Sequence, residues 1–269
     1  ARHALDKVDF VVVQDIFLTP TTKYADVVLP AASGMEKDGT YTNTERRVLR
    51  VRKVLEAPGL AREDWVITTA LSRRMGYHME YKDAAEIMEE ITQVTPSYTG
   101  MSFLRLGTQG LQWPCPAPDH PGTKFLHKDG KFTRGKGLFS PVSFKEPAEI
   151  PDADYPLVMT TGRLLYQYHT GTMSRRTDGL NEIAPSTHVE VNSVDAEKLG
   201  IVDQEMVKVI TRRGELVVKT LVPSRVKPGV IFLPFHFEEA PANMLTNNAI
   251  DPIAKIPEFK ACAARIEKL

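Results

Sequence analysis

The chain has 269 residues, 42% of them hydrophobic and 25% charged, a composition that is ordinary for soluble globular proteins. Lysine plus arginine equals aspartate plus glutamate, 34 of each, which argues against a dedicated nucleic-acid-binding protein. No run approaches the roughly 20 apolar residues that span a bilayer, so no membrane span is predicted. Because the first residues lack an apolar signal segment and a starting methionine, we expect a cytoplasmic protein with an incomplete N-terminus, which leaves a periplasmic location open.

Two buried strands are predicted near the beginning of the chain. Residues 8–13 (VDFVVV) form a continuous apolar run, which is typical of a parallel strand covered on both faces, and residues 26–29 form a second such run. The short connection between them favours an α/β fragment of the doubly wound parallel type. Ligands bind outside the carboxyl ends of such strands, where Gln14 and Asp15 fall. A turn or helix-cap role is the alternative for Asp15.

Two helices are predicted after a polar, turn-rich segment. Over residues 61–76 apolar side chains recur at helical spacing, and Asp64 lies in the first turn, where a carboxylate complements the helix dipole. The apolar positions on its shared face are Ile67, Leu71 and Met75. A second helix is expected over residues 83–94 with a structural role.

Regular structure is not predicted for residues 97–150, since Gly and Pro recur there and the hydrophobic periodicity is broken. A short hairpin near residues 128–132 is the exception. The two cysteines, Cys115 and Cys262, are far apart and have no CxxC partner, so they are interpreted as buried, reduced thiols. They cannot by themselves hold an iron–sulfur cluster or a structural zinc.

Residues 151–269 are predicted to form a separate, mainly β domain. Alternating segments at 206–211 and 215–221 flank an Arg-Arg-Gly turn, which is a hairpin signal, and Ser193 is expected to cap a short helix. Other strands are expected at 155–160, 188–191 and 229–234. Periodicity alone indicates a small barrel or sandwich.

One segment of this domain carries an unusual combination of residues. Residues 160–176 read TTGRLLYQYHTGTMSRR, in which glycines stand beside hydroxyl and arginine side chains. Backbone N–H groups and guanidinium groups both donate to phosphate oxygens, so the segment suits an anionic, phosphate-bearing ligand. An ordinary strand-to-loop turn with a solvated basic tip is the alternative.

The pattern TGRxxxxxHTGTMxRR resembles the loop with which molybdopterin oxidoreductases, in particular formate dehydrogenases and periplasmic nitrate reductases, hold a bis-molybdopterin guanine dinucleotide. The segments VVVQDIFLTPTTKYADVVLPAAS and LQWPC resemble formate dehydrogenases. The resemblance corresponds to the C-terminal part of a catalytic subunit. It implies an α/β cofactor-binding portion with a helical extension at 1–96, an irregular connection at 97–150, and a dinucleotide-binding double-psi β-barrel domain at 151–269.

The resemblance also implies a set of cofactor contacts. These are Gln14, Asp15, Lys37, Asp64, Thr161, Gly162, Arg163, Leu164, Leu165, Tyr166, Gln167, Tyr168, His169, Thr170, Phe235, Asn243 and Lys260. Lys37 would meet a phosphate or a pterin carbonyl, and Asp64 would accept from the N1–H and N2–H₂ edge of guanine. For the last three residues the alternatives are a core Phe, a cap Asn and a surface Lys. His236 is not implicated.

The implied function is that of part of a molybdenum- or tungsten-dependent formate dehydrogenase, which oxidises formate to carbon dioxide and passes electrons through pterin and iron–sulfur centres. The expected partners are the rest of the catalytic subunit, which would hold an iron–sulfur cluster, and an iron–sulfur electron-transfer subunit. We assign this chain no catalytic residue and no metal ligand, so the chain alone is expected to be inert. One alternative is a periplasmic-type nitrate reductase, favoured by HTGTMSRR but disfavoured by QDIFLT and LQWPC. Another is a cofactor-binding module or separate subunit without chemistry.

Overall fold

The computed structural model describes residues 2–223 and 225–269. The chain divides into two compact units, Ala1–Ser140, here called the first unit, and Pro141–Leu269, the second unit. This division rests on compactness alone, so the boundaries inferred from the sequence at 96/97 and 150/151 stay predictions.

The first unit contains short strands and helices joined by turns. Its helices are α1 (Arg2–Leu5), α2 (Asp64–Arg74), α3 (Ala84–Val94) and α4 (Phe103–Leu106), and its strands are β1 (Val12–Asp15), β2 (Val27–Pro30), β3 (Gly39–Thr42), β4 (Arg47–Val51) and β5 (Leu111–Gln112). Short 3-10 turns lie at Pro20–Tyr24, Pro96–Tyr98 and Lys128–Gly130.

Strands β1 and β2 pair in parallel, with Val12 opposite Val27, as the sequence predicts. Strand β1 begins and ends later than the sequence predicts, so Gln14 and Asp15 are its last two residues rather than the residues that follow it. The prediction that both faces are covered is wrong for the unit, because neither strand contains a buried residue. Two short strands cannot bury their own apolar side chains without a further layer.

Helices α2 and α3 lie where the sequence predicts them, but they differ in burial. Helix α3 begins after Asp83, whose carboxylate accepts from the next turn, and it buries Met88. In α2 the expected apolar face is largely exposed, with Leu71 54% and Met75 77% accessible. Helical spacing identifies the apolar face of α2, but it does not show whether other residues of this unit pack against that face.

Part of the predicted irregular connection is ordered structure. Residues 97–123 contribute α4 and β5, and β5 extends the antiparallel β3–β4 pair. A buried cluster forms there from Val48, Met88, Met101, Leu106 and Cys115. Arg46 and Arg105 donate to backbone carbonyls of this segment, which satisfies acceptors that irregular chain leaves without ladder partners. The two arginine side chains thus stabilise a segment whose sequence has no regular hydrophobic pattern.

The second unit is built around a barrel. Its strands are β6 (Leu157–Gly162), β7 (His188–Val191), β8 (Met206–Thr211), β9 (Gly214–Leu221), β10 (Val230–Pro234) and β11 (Cys262–Lys268), and its helices are α5 (Asp178–Ile183) and α6 (Ser193–Leu199). Within the described residues these six strands close in the order β10–β6–β11–β8–β9–β7. The predicted hairpin is confirmed, with Thr211 opposite Gly214.

The barrel encloses the core of the second unit. Inward-facing side chains of every strand, including Met159, Val191, Val209 and Ile231, are fully buried. Helix α6 is capped by Asn192, which accepts from the Val194 N–H, and not by Ser193 as expected. The β domain is thus a closed six-stranded barrel. None of the described helices is long and apolar enough to cross a membrane.

Candidate functional site

Three residues predicted to bind the cofactor meet in the first unit. Asp64 begins α2, and its two carboxylate oxygens accept from different partners. Gln14, at the end of β1, donates from Nε2 to Oδ1 at 2.6 Å, and the Lys37 ammonium donates to Oδ2. The fold therefore joins residues that lie 50 and 27 positions from Asp64 in the sequence.

The charge of Asp64 is stabilised by these contacts. Partial burial acts to raise the pKa of its carboxyl, but the hydrogen bonds from Lys37 and Gln14 outweigh that effect and hold the pKa below its ordinary value. The side chain keeps 48% of its surface accessible. An ionised carboxylate has about four acceptor positions, so Asp64 retains capacity for a further donor.

A hollow of about 230 Å³ opens beside this carboxylate. Its polar lining comes from Lys37, Asp38, Thr40 and Asp64, and its apolar lining comes from Trp65, Ala84, Ile87, Met88 and Ile91. A small pocket with an apolar wall and a few convergent polar groups is the usual form of a binding site for a planar ring.

Asp15 does not join this cluster through a hydrogen bond within the described part of the chain. Its Oδ1 accepts from the backbone N–H of Phe17 at 3.0 Å, which is the turn role that the sequence left open. The aspartate thus fixes the path of the chain as it leaves β1.

In the second unit, residues 163–176 follow β6 directly and are here called the loop. They belong to the segment whose residues suit a phosphate-bearing ligand. Strands β6 and β10 are parallel, with Thr161 opposite Leu233 and Gly162 opposite Pro234. Both strands therefore end at the same level, and residues 235–237 emerge beside the loop. A Cβ on Gly162 would lie 2.5 Å from the Phe232 ring, which explains the absence of a side chain there.

His236 holds this loop from the side. Its Nε2 accepts from the Leu164 N–H at 2.8 Å, and its Nδ1 contacts the backbone oxygen of His169. Because a carbonyl oxygen only accepts, Nδ1 carries the proton and Nε2 does not. Only 1% of the His236 surface is accessible. Burial lowers its pKa, and although the bond to His169 acts in the opposite direction, the net shift remains downward.

Further internal bonds fix the shape of the loop. The Gln167 amide donates to the Ala184 oxygen and accepts from the Ser174 hydroxyl, and only 4% of Gln167 is accessible. Thr161 Oγ1 donates to the backbone oxygen of Phe259 at 2.8 Å. The Lys260 ammonium donates to the backbone oxygen of Thr161. These side chains are committed to the protein, so a ligand would meet the loop through other groups.

The groups that the loop leaves accessible lie between Arg163 and Thr170. Arg163 is exposed and makes no hydrogen bond or ion pair within the described residues. Exposed side chains follow at Leu165, Tyr166, Tyr168, His169 and Thr170. His169 has a left-handed backbone (φ 47°), so the chain turns sharply here. An exposed cation and exposed aromatic rings thus lie on one short loop.

Gly171 shows how closely the loop packs on its support. Its φ is +75°, and a Cβ would lie 2.9 Å from the His236 backbone oxygen and 2.8 Å from the Arg175 side chain. Any other residue would push the loop away from His236. Arg175 in turn pairs with Glu239 and lies over the Phe237 ring at 4.8 Å.

Two predicted contacts lie outside the hydrogen-bonded loop. Phe235 packs against the barrel core and against the His236 ring at 4.8 Å, which agrees with its core alternative. Asn243 is exposed in the 3-10 turn Ala242–Met244, near the β8–β9 turn, and no hydrogen bond joins it to the loop within the described residues. His236 and Ser174 were not predicted from the sequence. For His236 the available signal was a histidine that lies between two phenylalanines just after a strand.

Two family models match this chain. The "Molybdopterin oxidoreductase" model matches residues 1–74, which include Asp64, and the "Molydopterin dinucleotide binding domain" model matches residues 157–263, which include the loop and all of the barrel except most of β11. The chain is thus similar to molybdopterin oxidoreductases over both of these segments. The resemblance drawn from the sequence is thereby confirmed, and a molybdopterin-type cofactor is supported.

Similarity to two curated proteins extends over the whole of this chain. The chain is 51% identical over 271 residues to F420-dependent formate dehydrogenase subunit alpha of Methanocaldococcus jannaschii, covering 100% of this chain and 40% of that protein. It is 49% identical to F420-dependent formate dehydrogenase 2 subunit alpha of Methanococcus maripaludis, with the same coverage. The chain thus spans about two fifths of the length of these relatives.

A solved structure shares the fold. Acetylene hydratase from Pelobacter acetylenicus matches 97% of this chain and 40% of its own chain with a TM-score of 0.72. The sequence identity of 21% makes this a likeness of fold alone.

The chemistry of the donor sets fits a pterin dinucleotide. An accessible guanidinium suits phosphate, and a carboxylate beside a hollow with an apolar wall suits a purine edge. Among residues 2–223 and 225–269, no three His, Cys, Asp or Glu side chains form a group that could hold a metal ion.

Proposed function

We propose that this chain is part of the catalytic subunit of a formate dehydrogenase and binds a bis-molybdopterin guanine dinucleotide. The observation that carries the proposal is the 51% and 49% identity, over the whole chain, to two formate dehydrogenase alpha subunits. When bound, the cofactor supplies the redox chemistry that oxidises formate to carbon dioxide. The residues of this chain bind and orient it.

The loop after β6 is proposed to hold a phosphate-bearing part of the cofactor. Arg163 is the proposed main contact, since it has no competing ion pair within the described residues. The exposed tyrosines and His169 would supply ring contacts and donors. The remaining predicted positions, Gly162, Leu164, Leu165 and Thr170, would contribute mainly through the backbone. Thr161, Gln167 and Lys260 would act by holding the loop in shape.

Asp64 is proposed to accept from the guanine edge of one dinucleotide arm. Lys37 and Gln14 would keep the carboxylate ionised and oriented, and the neighbouring apolar hollow would take the purine ring. Its position at the start of α2 serves the helix dipole as well, so the two roles anticipated from the sequence are compatible. Phe235 and Asn243 stay proposed contacts with weaker support.

The finer features of the complete protein are also proposed. The metal would be molybdenum or tungsten, and an iron–sulfur cluster and an electron-transfer subunit would lie outside this chain. By similarity to the named relatives, F420 is the proposed electron acceptor. The parallel β1–β2 pair is proposed as part of a doubly wound sheet. A double-psi topology is proposed for the barrel, supported by two parallel pairings, β10–β6 and β7–β9, among antiparallel ones.

The test is an assay of the complete native protein, purified without oxygen. We expect formate-dependent reduction of F420 and of a viologen dye, together with guanine nucleotide on acid hydrolysis and molybdenum or tungsten by elemental analysis. Nitrate-dependent oxidation of reduced viologen without formate activity would instead favour the nitrate reductase. The 269-residue chain alone should reduce no dye, and activity from that preparation would contradict the assignment of all chemistry to residues elsewhere.

A further inference from the structure

His236 occupies a position that the proposed function does not use. It is buried between Phe235 and Phe237, two residues beyond the end of the β10 barrel strand. Its two ring nitrogens bond two points of the loop that lie five residues apart, Leu164 and His169. Three exposed residues of the loop, Leu165, Tyr166 and Tyr168, lie between those two points.

The two bonds require one protonation state. The Leu164 N–H needs an unprotonated Nε2, and the His169 oxygen needs a protonated Nδ1. A second proton on the ring would replace the acceptor by a donor that faces the Leu164 N–H. Two like donors would then meet at 2.8 Å in a buried place, and the loop must move to relieve the conflict.

Therefore we propose that neutral His236 is a positioning residue for the cofactor loop, and that its protonation releases residues 163–170 from the barrel. This inference rests on the proposed function of the loop as a cofactor site. It predicts that acid weakens the binding of the cofactor by moving the loop, through protonation of a histidine that does not itself touch the cofactor.

The surroundings of the ring favour the neutral form. Arg163 and His169 are the charged and titratable groups on the loop that act on it, and both oppose a positive charge there. Arg175 lies against the adjacent Phe237, with its own charge paired to Glu239. Burial acts in the same direction and lowers the pKa of His236. The loop should therefore stay closed near neutral pH and open in moderately acidic solution.

The experiment is hydrogen–deuterium exchange of peptides covering residues 163–170 in the holoenzyme, between pH 8 and pH 5, corrected for the intrinsic pH dependence of exchange. We expect these amides to exchange about fivefold to tenfold faster at the acidic end, the factor that corresponds to loss of one hydrogen bond. Pterin and guanine nucleotide released after the same incubations are measured in parallel. An enzyme without pterin would refute the proposed function but would leave the exchange result readable.

Two variants make the test specific. His236→Gln places an amide oxygen near the position of Nε2 and cannot take up a proton, so its loop exchange should be independent of pH. His188→Gln is the matched control, since His188 is a half-buried barrel histidine whose pKa is also lowered by burial and which makes no hydrogen bond to the loop within the described residues. It should keep the pH dependence of the wild type.

A flat wild-type profile, or the same acid response in His236→Gln, would overturn the proposal. Should His236→Gln fail to accumulate, ¹⁵N spectra of the ring nitrogens in the wild-type enzyme decide the matter. A ring protonated only at Nδ1 at pH 8 supports the proposal, whereas one protonated at Nε2 contradicts it.

Discussion

The two units place their candidate sites on very different foundations. In the second unit the loop leaves a closed barrel, in which each strand has two neighbours and the inner side chains are buried. In the first unit Gln14 stands at the end of a two-stranded parallel sheet without a buried residue. Similar binding chemistry is thus supported by a self-sufficient scaffold in one unit and by an incomplete one in the other. A sequence motif can therefore predict a binding site without indicating whether the unit that carries it is stable by itself.

The largest expected difference concerns folding of the separated units. Residues 141–269 should resist proteolysis and unfold cooperatively, because the barrel has no free edge within the described strands. Residues 1–140 should be cleaved rapidly in and around β1 and β2, and should tend to aggregate through their exposed valines. Limited proteolysis with mass spectrometry checks both expectations. Equal resistance of the two fragments would remove the contrast.

A pair of core substitutions sharpens the same contrast. Ile231→Ala in β10 should lower the free energy of unfolding by about 2–5 kcal/mol, because a fully buried side chain leaves a cavity. Val12→Ala in β1 should change it by about 0.5 kcal/mol or less in this chain, because that side chain is half exposed. Urea titrations followed by circular dichroism measure both. A similar loss for the two variants would show that β1 is covered after all.

For the cofactor loop we compare an unpaired cation with a paired hydroxyl. Arg163→Ala should leave stability unchanged and weaken retention of the cofactor by roughly 2–5 kcal/mol, if its guanidinium meets a phosphate in a dry pocket. Thr161→Val should instead lower stability by about 1 kcal/mol, since its hydroxyl bonds the Phe259 oxygen within the protein. Pterin content and the thermal midpoint are measured for each variant of the complete enzyme. Normal pterin content in Arg163→Ala would exclude it as a principal contact.

The smallest effect is expected at Asp64. Its ion pair with Lys37 is partly solvated, so Asp64→Asn should cost about 0.2–1 kcal/mol of stability at neutral pH. Because its pKa is lowered in the folded protein, this contribution is present above the ordinary pKa of about 3.9 and is lost as the pH falls through the folded value. Guanine nucleotide content should fall more clearly than stability. Asp119→Asn, which alters an exposed aspartate of the same unit that makes no side-chain hydrogen bond or ion pair within the described residues, provides the control.

Much of the barrel could be predicted because its sequence alternates and its turns are marked. The Arg212–Gly214 turn and the strands around it followed from these local signals. The order of the closed barrel could not, because it depends on pairings such as β11 with β6 and β8, which no local pattern encodes. In the first unit, Leu71 and Met75 show the limit of periodicity, which indicates an apolar face but not its cover.

The same distinction applies to the candidate sites. Resemblance named Gln14, Lys37 and Asp64 separately as cofactor contacts, and the structure joins them by hydrogen bonds. It could not distinguish residues that face a ligand from those that hold the loop, since Arg163 and Gln167 belong to one motif yet differ in burial. His236 escaped notice because its role depends on a fold contact with residues some 70 positions away.

The place of β11 in the barrel has a consequence for biosynthesis. This strand lies between β6 and β8, and the residues just before it, Phe259 and Lys260, bond Thr161 at the root of the loop. A nascent chain on the ribosome that has not yet released residues 259–268 has a gap between two barrel strands and lacks the anchors of the loop. The loop can therefore acquire its shape only after residues 259–268 have left the ribosome, and a cofactor delivered to a shorter nascent chain would meet a loop without these anchors.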